Sequence, residues 1–509
     1  MYSTIMTAIV EGIHTIPITV EVDISDGMPM FDMVGYLSAE VREAKNRVRT
    51  ALHNCGIVLP AKRITVNLSP GNIRKSGTGF DLPIAVALLA SLGLVDEKLC
   101  RGKIMIGELN LSGQVLPVNG VLPIVADGWK NGYREYVVPL SNLKEARLVK
   151  ETKSYGFRDL KEIIHFLNEG QYVEPELETE CDSLGGKTLD FADVNGQHYL
   201  KRACEVAASG MHNILMIGPP GAGKTMISER MPTILPPLTE EEKMELSKIY
   251  SVCGLLSKQN CLITERPFRS PHHTTTTIGL TGGGINLHPG EISLAHHGVL
   301  FLDELAEFQK TTLEILRQPL EERKIHIVRA NGSVTYPASF LLLAALNPCA
   351  CGYYPDMQRC RCTQAGLKRY YERISQPLLD RIDICVEASA LSYHEITGKQ
   401  DNESSESIRE RVVACHEIQH IRYQNEEFKY NSQIPAARLE EYCVLEREEQ
   451  RYMEDIYMRM ELTGRTYHKI LRVARTIADL DQEKRIRRKH LNEAICYRSV
   501  NEKYWGGFR

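Results

Sequence analysis

The 509-residue chain lacks the features of a secreted or membrane-embedded protein. Its N-terminal stretch, MYSTIMTAIVEG, has no basic segment followed by an apolar one, so no secretory signal is expected. The longest apolar run, residues 82–95, has 14 residues, whereas a membrane-spanning helix needs ~20. This run therefore predicts a buried helix, and the chain is expected to be cytoplasmic with no membrane partner.

An excess of one charge is also missing, and aromatic residues are few. The formal net charge is only -4, from 61 Lys+Arg and 65 Asp+Glu. This excludes a protein that binds nucleic acid through its overall field, so any such contact must come from a local basic patch. Aromatics make up 7% of the chain beside 43% hydrophobic and 25% charged residues, as in ordinary globular proteins. At ~150 residues per domain the length predicts about three domains.

Fourteen cysteines are present, and ten are scattered singly, which is typical of reduced thiols. The other four form two C-x-C pairs separated by eight residues: Cys349, Cys351, Cys360 and Cys362. Four thiolates satisfy the tetrahedral geometry of a structural Zn²⁺, although C-x-C is tighter than the usual spacing. Structural zinc, free thiols, and a disulfide or redox role are the three alternatives.

The pattern along the chain indicates a multidomain α/β protein. Residues 1–170 mix strand-like alternation with helical segments and predict an α+β domain. Residues 171–189 are acidic, contain a Gly pair and lack periodicity, as in a linker. Apolar strands alternate with helices over residues 190–390, which predicts a parallel sheet covered on both faces. The pattern of residues 391–509 is helical only and predicts an all-α domain.

A glycine-rich loop stands between an apolar strand and a helix. Its residues match G-x-x-x-x-G-K-[ST]: Gly218, Pro219, Pro220, Gly221, Ala222, Gly223, Lys224 and Thr225. The glycines let backbone N–H groups converge on phosphate oxygens, and the helix directs its positive N-terminus at the same anion. We expect Lys224 to neutralise the β and γ phosphates and Thr225 to ligate Mg²⁺. The loop thus predicts a site for ATP and Mg²⁺.

Polar residues follow three further apolar segments. Asp303 and Glu304 close an apolar strand, where Asp303 is expected to hold Mg²⁺ and Glu304 to activate water. Asn347 ends another strand and is expected near the γ-phosphate, the alternative being a turn residue before Pro348. Arg381 lies between carboxylates, and on the residues alone a surface ion-pair cluster is the simpler interpretation.

In this order, these segments resemble the magnesium-chelatase-like branch of the AAA+ ATPases, and specifically its ComM/YifB type. The segments RPFRSPHHTTT, HPGEISLAHHGVLFLDEL, LNPCACGYY and PLLDRIDI carry the resemblance most specifically. It implies that Asn347 is the sensor-1 residue and that Arg381 is an arginine finger completing the site of the adjacent subunit. It also implies that Arg465 is sensor 2, with Arg472 and Arg475 of the same segment as competing assignments.

The resemblance implies a homo-hexameric motor that acts on single-stranded or branched DNA. From Thr225 to Asp303 is 78 residues, which leaves room for an inserted element containing residues 274–289. Before Asn347, the dipeptide Asn331-Gly332 between alternating segments predicts a hairpin over residues 325–337. In this branch such a hairpin points into a central pore, so Arg329 is the expected DNA-backbone contact. The alternative is a solvated hairpin tip.

The N-terminal domain resembles the Lon protease domain, of the ribosomal-S5-like type, through RKSGTGFDLPIAVALLASLG and GELNLSGQVLPVNG. Gly79 stands where that family has its nucleophile, and Leu122 stands where it has its lysine, so proteolysis is not expected. Lys75 and Ser76 are no substitute because adjacent residues of a strand face opposite sides. The domain is expected to bind DNA or a partner, or to support the ring.

The remaining polar clusters have structural interpretations. The pairs His272/His273 and His296/His297 are poor metal-ligand sets, because the side chains of neighbouring residues are expected to diverge. They are expected to be loop or packing residues, the first pair having the alternative of lying near nucleotide or DNA. The basic run 484–490 predicts a solvated helical turn, with a phosphate contact as the alternative.

Three functions are compatible with the sequence. The favoured one is an ATP-driven DNA helicase or branch-migration factor in recombination or natural transformation. The second is the motor subunit of a metal chelatase, and the third is a regulatory scaffold without motor activity. Stimulation of ATP hydrolysis by DNA separates the first from the others.

Overall fold

The computed structural model describes residues 1–176, 189–257, 261–284, 287–329, 332–390, 393 and 402–505, with the side chains of residues 501 and 502 excepted. Most of the predicted linker and the predicted turn residue Asn331 lie outside these residues.

A seven-stranded mixed sheet forms the N-terminal part. Its strands, in spatial order, are Met30–Val34, Arg63–Ser69, His14–Ser25, Tyr2–Glu11, Lys103–Met105, Glu135–Pro139 and Lys153–Phe157. A separate pair joins Glu108–Leu109 to Val115–Leu116. The helices are Ala39–Asn54, Asp81–Ser91, Glu97–Cys100, Val121–Lys130, Leu143–Ala146 and Leu160–Glu169. The apolar run predicted as a buried helix is Asp81–Ser91, and almost every side chain in it is buried.

A five-stranded sheet, parallel throughout, forms the second part, as the apolar strands predicted. Its order is Phe268–Arg269, Val299–Leu302, Leu341–Leu346, Ile214–Ile217 and Ile384–Glu387. The longer helices around it are His198–Gly210, Lys224–Ile234, Glu240–Val252 and Gln364–Tyr371. Because all carboxyl ends point the same way, the loops after the central strands meet at one edge.

Short elements are inserted between these strands. Two antiparallel pairs are present, Gly282–Gly283 with His288–Pro289 and Lys324–Arg329 with Gly332–Pro337. The short helices are Thr277–Thr281, Glu291–Leu294, Lys310–Ile315, Arg317–Glu322 and Gln376–Leu379. The second pair is the hairpin that the sequence predicts, and its strands match the expected boundaries within a residue.

The C-terminal helices share their core with the parallel sheet. They are Ser405–Arg422, Leu439–Tyr442, Arg447–Arg459, Gly464–Leu480 and Arg488–Trp505. His212, just before the sheet's Ile214–Ile217 strand, bonds Thr476 through Nε2 at 2.7 Å. Trp505 Nε1 donates to the Tyr371 carbonyl at 3.4 Å. Sheet and helices therefore form one hydrophobic unit and not two separately packed ones.

The helix Glu240–Val252 joins the two sheets. Lys248 Nζ donates to Asp127 of the N-terminal part at 2.9 Å, and the Gly120 N–H donates to the Ser251 carbonyl at 3.1 Å. Among the described residues, no helix has both the length and the apolar character required to cross a bilayer.

Candidate nucleotide site

The glycine-rich loop leaves the carboxyl end of the strand Ile214–Ile217, which lies beside the central strand Leu341–Leu346 and is fully buried. The Gly218 N–H donates to the Leu346 carbonyl at 3.1 Å and fixes the loop to the neighbouring strand. Gly221 and Gly223 adopt φ values of 78° and 81°, which only glycine adopts without strain. No atom lies within 4 Å of where a Cβ would stand at either glycine, so the backbone there is open to an approaching anion.

Lys224 begins the helix Lys224–Ile234 and turns back over the loop. Its Nζ donates to the carbonyls of Gly218 and Pro219 at 2.6 and 3.1 Å and to Asn347 Oδ1 at 3.1 Å. Burial lowers the pKa of this amine, and the nearby acidic pair opposes that shift. The predicted residues Lys224 and Asn347, 123 positions apart, therefore meet in one site.

The next residue, Thr225, faces the predicted acidic pair. Its Oγ1 donates to Asp303 Oδ2 at 2.9 Å. A hydroxyl and a carboxylate beside a phosphate-binding loop are the oxygen ligands that Mg²⁺ prefers. These residues thus fit Mg²⁺ and a nucleotide triphosphate, with Thr225 and Asp303 as the metal-holding groups and the loop N–H groups and Lys224 as the phosphate-holding groups.

Glu304 has an unusual backbone for a residue with a side chain. Its φ is 52°, in the left-handed region, which costs about 1–3 kcal/mol for a residue other than glycine. Its N–H donates to Asp303 Oδ1 at 2.9 Å, and its side chain is 52% exposed. The Glu304 carboxylate is therefore accessible at the surface beside Asp303.

His273 holds that carboxylate. Its Nδ1 lies 3.3 Å from Glu304 Oε2, and its ring stacks on His272 with centroids 4.0 Å apart. The sequence left this pair open between a loop role and a place near the nucleotide. The sequence offers no local signal for this contact, because His273 and Glu304 stand in separate segments that only the fold brings together. Glu304 is therefore contacted by a residue of the loop that follows the strand Phe268–Arg269.

Replacing His273 tests this orienting contact. We expect His273→Ala to leave nucleotide affinity unchanged and to lower kcat for ATP hydrolysis by up to about 10²-fold, since a misplaced base loses its attack geometry. His272→Ala is the matched control, because His272 bonds Thr274 and not Glu304. A native hydrolysis rate in His273→Ala would show that its contact with Glu304 plays no part in hydrolysis. Steady-state hydrolysis and binding of a fluorescent ATP analogue measure the two quantities.

Three family models match the chain: "Magnesium chelatase, subunit ChlI" over residues 190–396, "Subunit ChlI of Mg-chelatase" over 20–142, and "Magnesium chelatase, subunit ChlI C-terminal" over 402–498. YifB of Salmonella typhimurium is 40% identical over 495 residues, 96% of each chain. The chain belongs to the magnesium-chelatase-like family of YifB and ComM proteins. Competence protein ComM of Haemophilus influenzae is 40% identical over 496 residues, again 96% of each chain. Membership implies the use of ATP and Mg²⁺.

Arg381, the arginine finger that the family resemblance predicts, lies at the amino ends of the parallel strands, whereas the glycine-rich loop lies at their carboxyl ends. Its carbonyl accepts from Asn213 Nδ2 at 3.0 Å, and Asn213 precedes the strand whose far end carries Gly218. The extended chain from Asn213 to Gly218 spans about 17 Å. The guanidinium pairs with Glu321 and donates to the Pro377 carbonyl at 2.6 Å. Arg381 is thus remote from the nucleotide loop of its own chain.

Arg465, the expected sensor 2 of this magnesium-chelatase-like chain, lies on the same edge as Arg381. Its Nη1 is 3.3 Å from Asp380 Oδ2, and the side chain is 73% exposed. The competing arginines are held internally: Arg472 donates to the Ile434 carbonyl, and Arg475 is buried against Asp479. The structure therefore does not bring Arg465 to the glycine-rich loop of its own chain, and its assignment as sensor 2 stays a prediction.

The other histidine pair and the basic run have internal partners. His296 and His297 both approach Glu245, at 3.4 and 3.0 Å, so these neighbours converge and do not diverge as expected. In the run 484–490, Arg485 and Arg487 both pair with Glu446. The expected helical turn is wrong for residues 484–487, which precede the helix Arg488–Trp505. These contacts favour the structural interpretation of both clusters.

The N-terminal residues weighed for proteolysis point apart. Lys75 is fully buried and donates to the Pro70 carbonyl, whereas Ser76 is exposed. Gly79 and Leu122, which stand where the Lon resemblance predicts a nucleophile and a lysine, supply no polar side chain.

Proposed function

We propose that the protein is a ring-forming ATPase motor that acts on DNA. One observation carries the ring: the phosphate loop and Glu304 occupy the carboxyl edge of the sheet, while Arg381 occupies the amino edge. A single chain cannot place both on one nucleotide. In the proposed assembly, copies pack side by side in a closed ring, the expected hexamer, so that each Arg381 faces the nucleotide of the next copy.

The hydrolysis step follows from the groups at the carboxyl edge. Lys224, Thr225 and Asp303 hold the phosphates and Mg²⁺, which supplies charge neutralisation when bound. Glu304 accepts a proton from the attacking water, and Asn347 fixes Lys224. Arg381 of the neighbour adds positive charge to the transferring phosphoryl group, so hydrolysis depends on assembly.

The hairpin Lys324–Arg329/Gly332–Pro337 supports a DNA substrate. Ile325, Ile327 and Val334 are buried in the ATPase core, which fixes the hairpin's inner face to the motor. The exposed positions include Lys324, His326 and Arg329. Repeated around a ring, a few basic groups per chain build a local positive surface despite the net charge of -4. The name of the relative ComM, a competence protein, favours DNA taken up in natural transformation as the setting.

Measuring hydrolysis with and without DNA tests the proposal. We expect single-stranded or branched DNA to raise the ATPase rate of the assembled protein, with a steep salt dependence of DNA binding. Mass photometry with ATP analogue gives the ring size. An assembled ATPase that neither binds DNA nor responds to it would contradict the DNA assignment and leave the ATPase assignment intact.

Arg329→Ala tests the hairpin separately. If each Arg329 neutralises about one phosphate, the variant lowers DNA affinity and reduces the slope of log K against log salt by about 0.7–0.9 for each phosphate that is no longer neutralised. Arg409→Ala is the control, because Arg409 is an exposed arginine on the helix Ser405–Arg422 that pairs with Glu406. Unchanged affinity and slope in Arg329→Ala would assign this residue to a solvated tip. Fluorescence anisotropy at several salt concentrations gives both values.

The second candidate is the motor subunit of a metal chelatase, which the names of the matching families favour. It shares the nucleotide site, so it predicts ATP hydrolysis without any DNA response. A regulatory scaffold predicts neither. The same ATPase experiment thus separates all three functions.

A further inference from the structure

Four cysteine side chains meet beside the nucleotide site. The Sγ atoms of Cys349, Cys351, Cys360 and Cys362 all lie within 4.8 Å of one another. Cys349 Sγ is 3.2 Å from Cys351 and 3.9 Å from Cys360, and Cys351 is 3.7 Å from Cys360. A tetrahedral Zn²⁺ with Zn–S bonds of about 2.3 Å places its sulfurs about 3.8 Å apart. A disulfide requires about 2.05 Å, so these distances match a shared metal better than a disulfide bond.

The loop is shaped around these sulfurs. The Gly352 N–H donates to the Cys349 carbonyl at 3.0 Å, and the Tyr354 N–H donates to Cys349 Sγ at 3.4 Å. An N–H directed at sulfur is an outer contact that stabilises a metal-bound thiolate. Cys349 is buried and the other three cysteines are half-buried, so the four sulfurs form a partly buried cluster and are not spread over an exposed surface.

The loop that carries the four cysteines lies next to two parts of the nucleotide site, Asn347 and the glycine-rich loop. Asn347 directly follows the strand Leu341–Leu346, and Cys349 stands two residues after Asn347. The Tyr370 hydroxyl donates to the Asn347 carbonyl at 3.0 Å. At its other end, Cys362 directly precedes the N-cap Thr363 of the helix Gln364–Tyr371. Gly352 lies against the phosphate loop, where an added Cβ would be 2.7 Å from Pro220 Cδ.

We propose that Cys349, Cys351, Cys360 and Cys362 bind one Zn²⁺ that positions Asn347 and the phosphate loop. The metal links the end of the strand Leu341–Leu346 to the start of the helix Gln364–Tyr371. The loop between this strand and this helix packs against Pro220. The metal has no open coordination position and does not touch the reacting phosphate, so its part is structural and its loss acts through nucleotide binding.

Zinc content of the purified full-length protein is the first test. We expect one zinc per chain by elemental analysis, and far less than one in Cys360→Ser. Cys496→Ser, which removes an exposed cysteine outside the cluster, is the matched control and should retain the metal. If Cys360→Ser fails to fold, the content of the native protein still decides. Native protein without zinc, with four alkylatable thiols or with a disulfide seen as a mass loss of two hydrogens, would overturn the site.

The positioning role has a test that leaves the cysteines in place. Gly352→Ala should keep one zinc and weaken ATP-analogue binding several-fold, because the new methyl group displaces Pro220. Gly352 has φ 84°, so the control must carry the same backbone strain. Gly93→Ala meets this need, since Gly93 has φ 73° and nothing within 4 Å of its Cβ position. Equal nucleotide affinity in both variants would remove the link between the zinc loop and the phosphate loop.

Discussion

Glu304→Gln is expected to bind ATP with native affinity and to hydrolyse it about 10²–10⁴-fold more slowly. The amide keeps the size of the side chain and loses the basic oxygen that accepts the proton of water. The strained turn at Glu304, with φ 52°, is unaffected by this change. Because Lys224, Thr225 and Asp303 remain, the variant should accumulate ATP-bound rings. Single-turnover hydrolysis and fluorescent-analogue binding give the two quantities.

Glu307→Gln is the matched control for this substitution. Glu307 lies three residues further on, in the 3₁₀ turn Leu305–Glu307, and pairs with Arg373. It should retain near-native hydrolysis. If Glu304→Gln hydrolyses ATP as fast as Glu307→Gln, Glu304 is not the base, and another group must take the proton.

Arg381→Ala is expected to lower kcat by about 10³-fold or more, the usual effect of losing an arginine finger. The loss should occur without a matching loss of nucleotide affinity, because Arg381 is remote from its own phosphate loop. Arg409→Ala, on the exposed face of another helix, controls for the removal of a surface arginine. A kcat within a few-fold of native would restore the simpler interpretation, in which Arg381 only pairs with Glu321.

Mixing two inactive variants shows whether Arg381 acts between chains. Lys224→Ala lacks a working phosphate loop but keeps Arg381, and Arg381→Ala has the reverse defect. In a 1:1 mixed ring, some interfaces combine the intact loop of one chain with the intact arginine of the next. We expect the mixture to recover part of the native hydrolysis, whereas each variant alone stays inactive. No recovery in rings of native size would contradict action in trans.

The sequence was most informative where a function needs consecutive residues. The glycine-rich loop must direct several N–H groups at one anion, so its glycines, Lys224 and Thr225 are consecutive or nearly so in the chain. Their spacing is therefore enough to predict the geometry of the loop. Asp303 and Asn347 were also predictable, because each follows a fully apolar strand and the carboxyl ends of parallel strands meet at one edge. The hairpin was predictable from a turn dipeptide between alternating segments.

Contacts between distant segments were less accessible to the sequence. His273 is 31 positions before Glu304, and neither a motif nor a periodicity joins them. The C-terminal helices looked independent in the sequence because their polar faces dominate it, yet their apolar faces complete the core of the sheet.

Local sequence patterns were enough to predict the glycine-rich loop, the acidic residue Asp303 beside it and the parallel sheet that carries them. These depend on local backbone conformation and on the burial pattern of single strands. Three features are visible only in the folded chain: Arg381 lies at the amino ends of the parallel strands, His273 contacts Glu304, and four cysteine sulfurs converge beside Asn347. Each of these features depends on the order of the strands and the paths of the loops. Both result from packing across the whole chain, so no local sequence pattern reveals them.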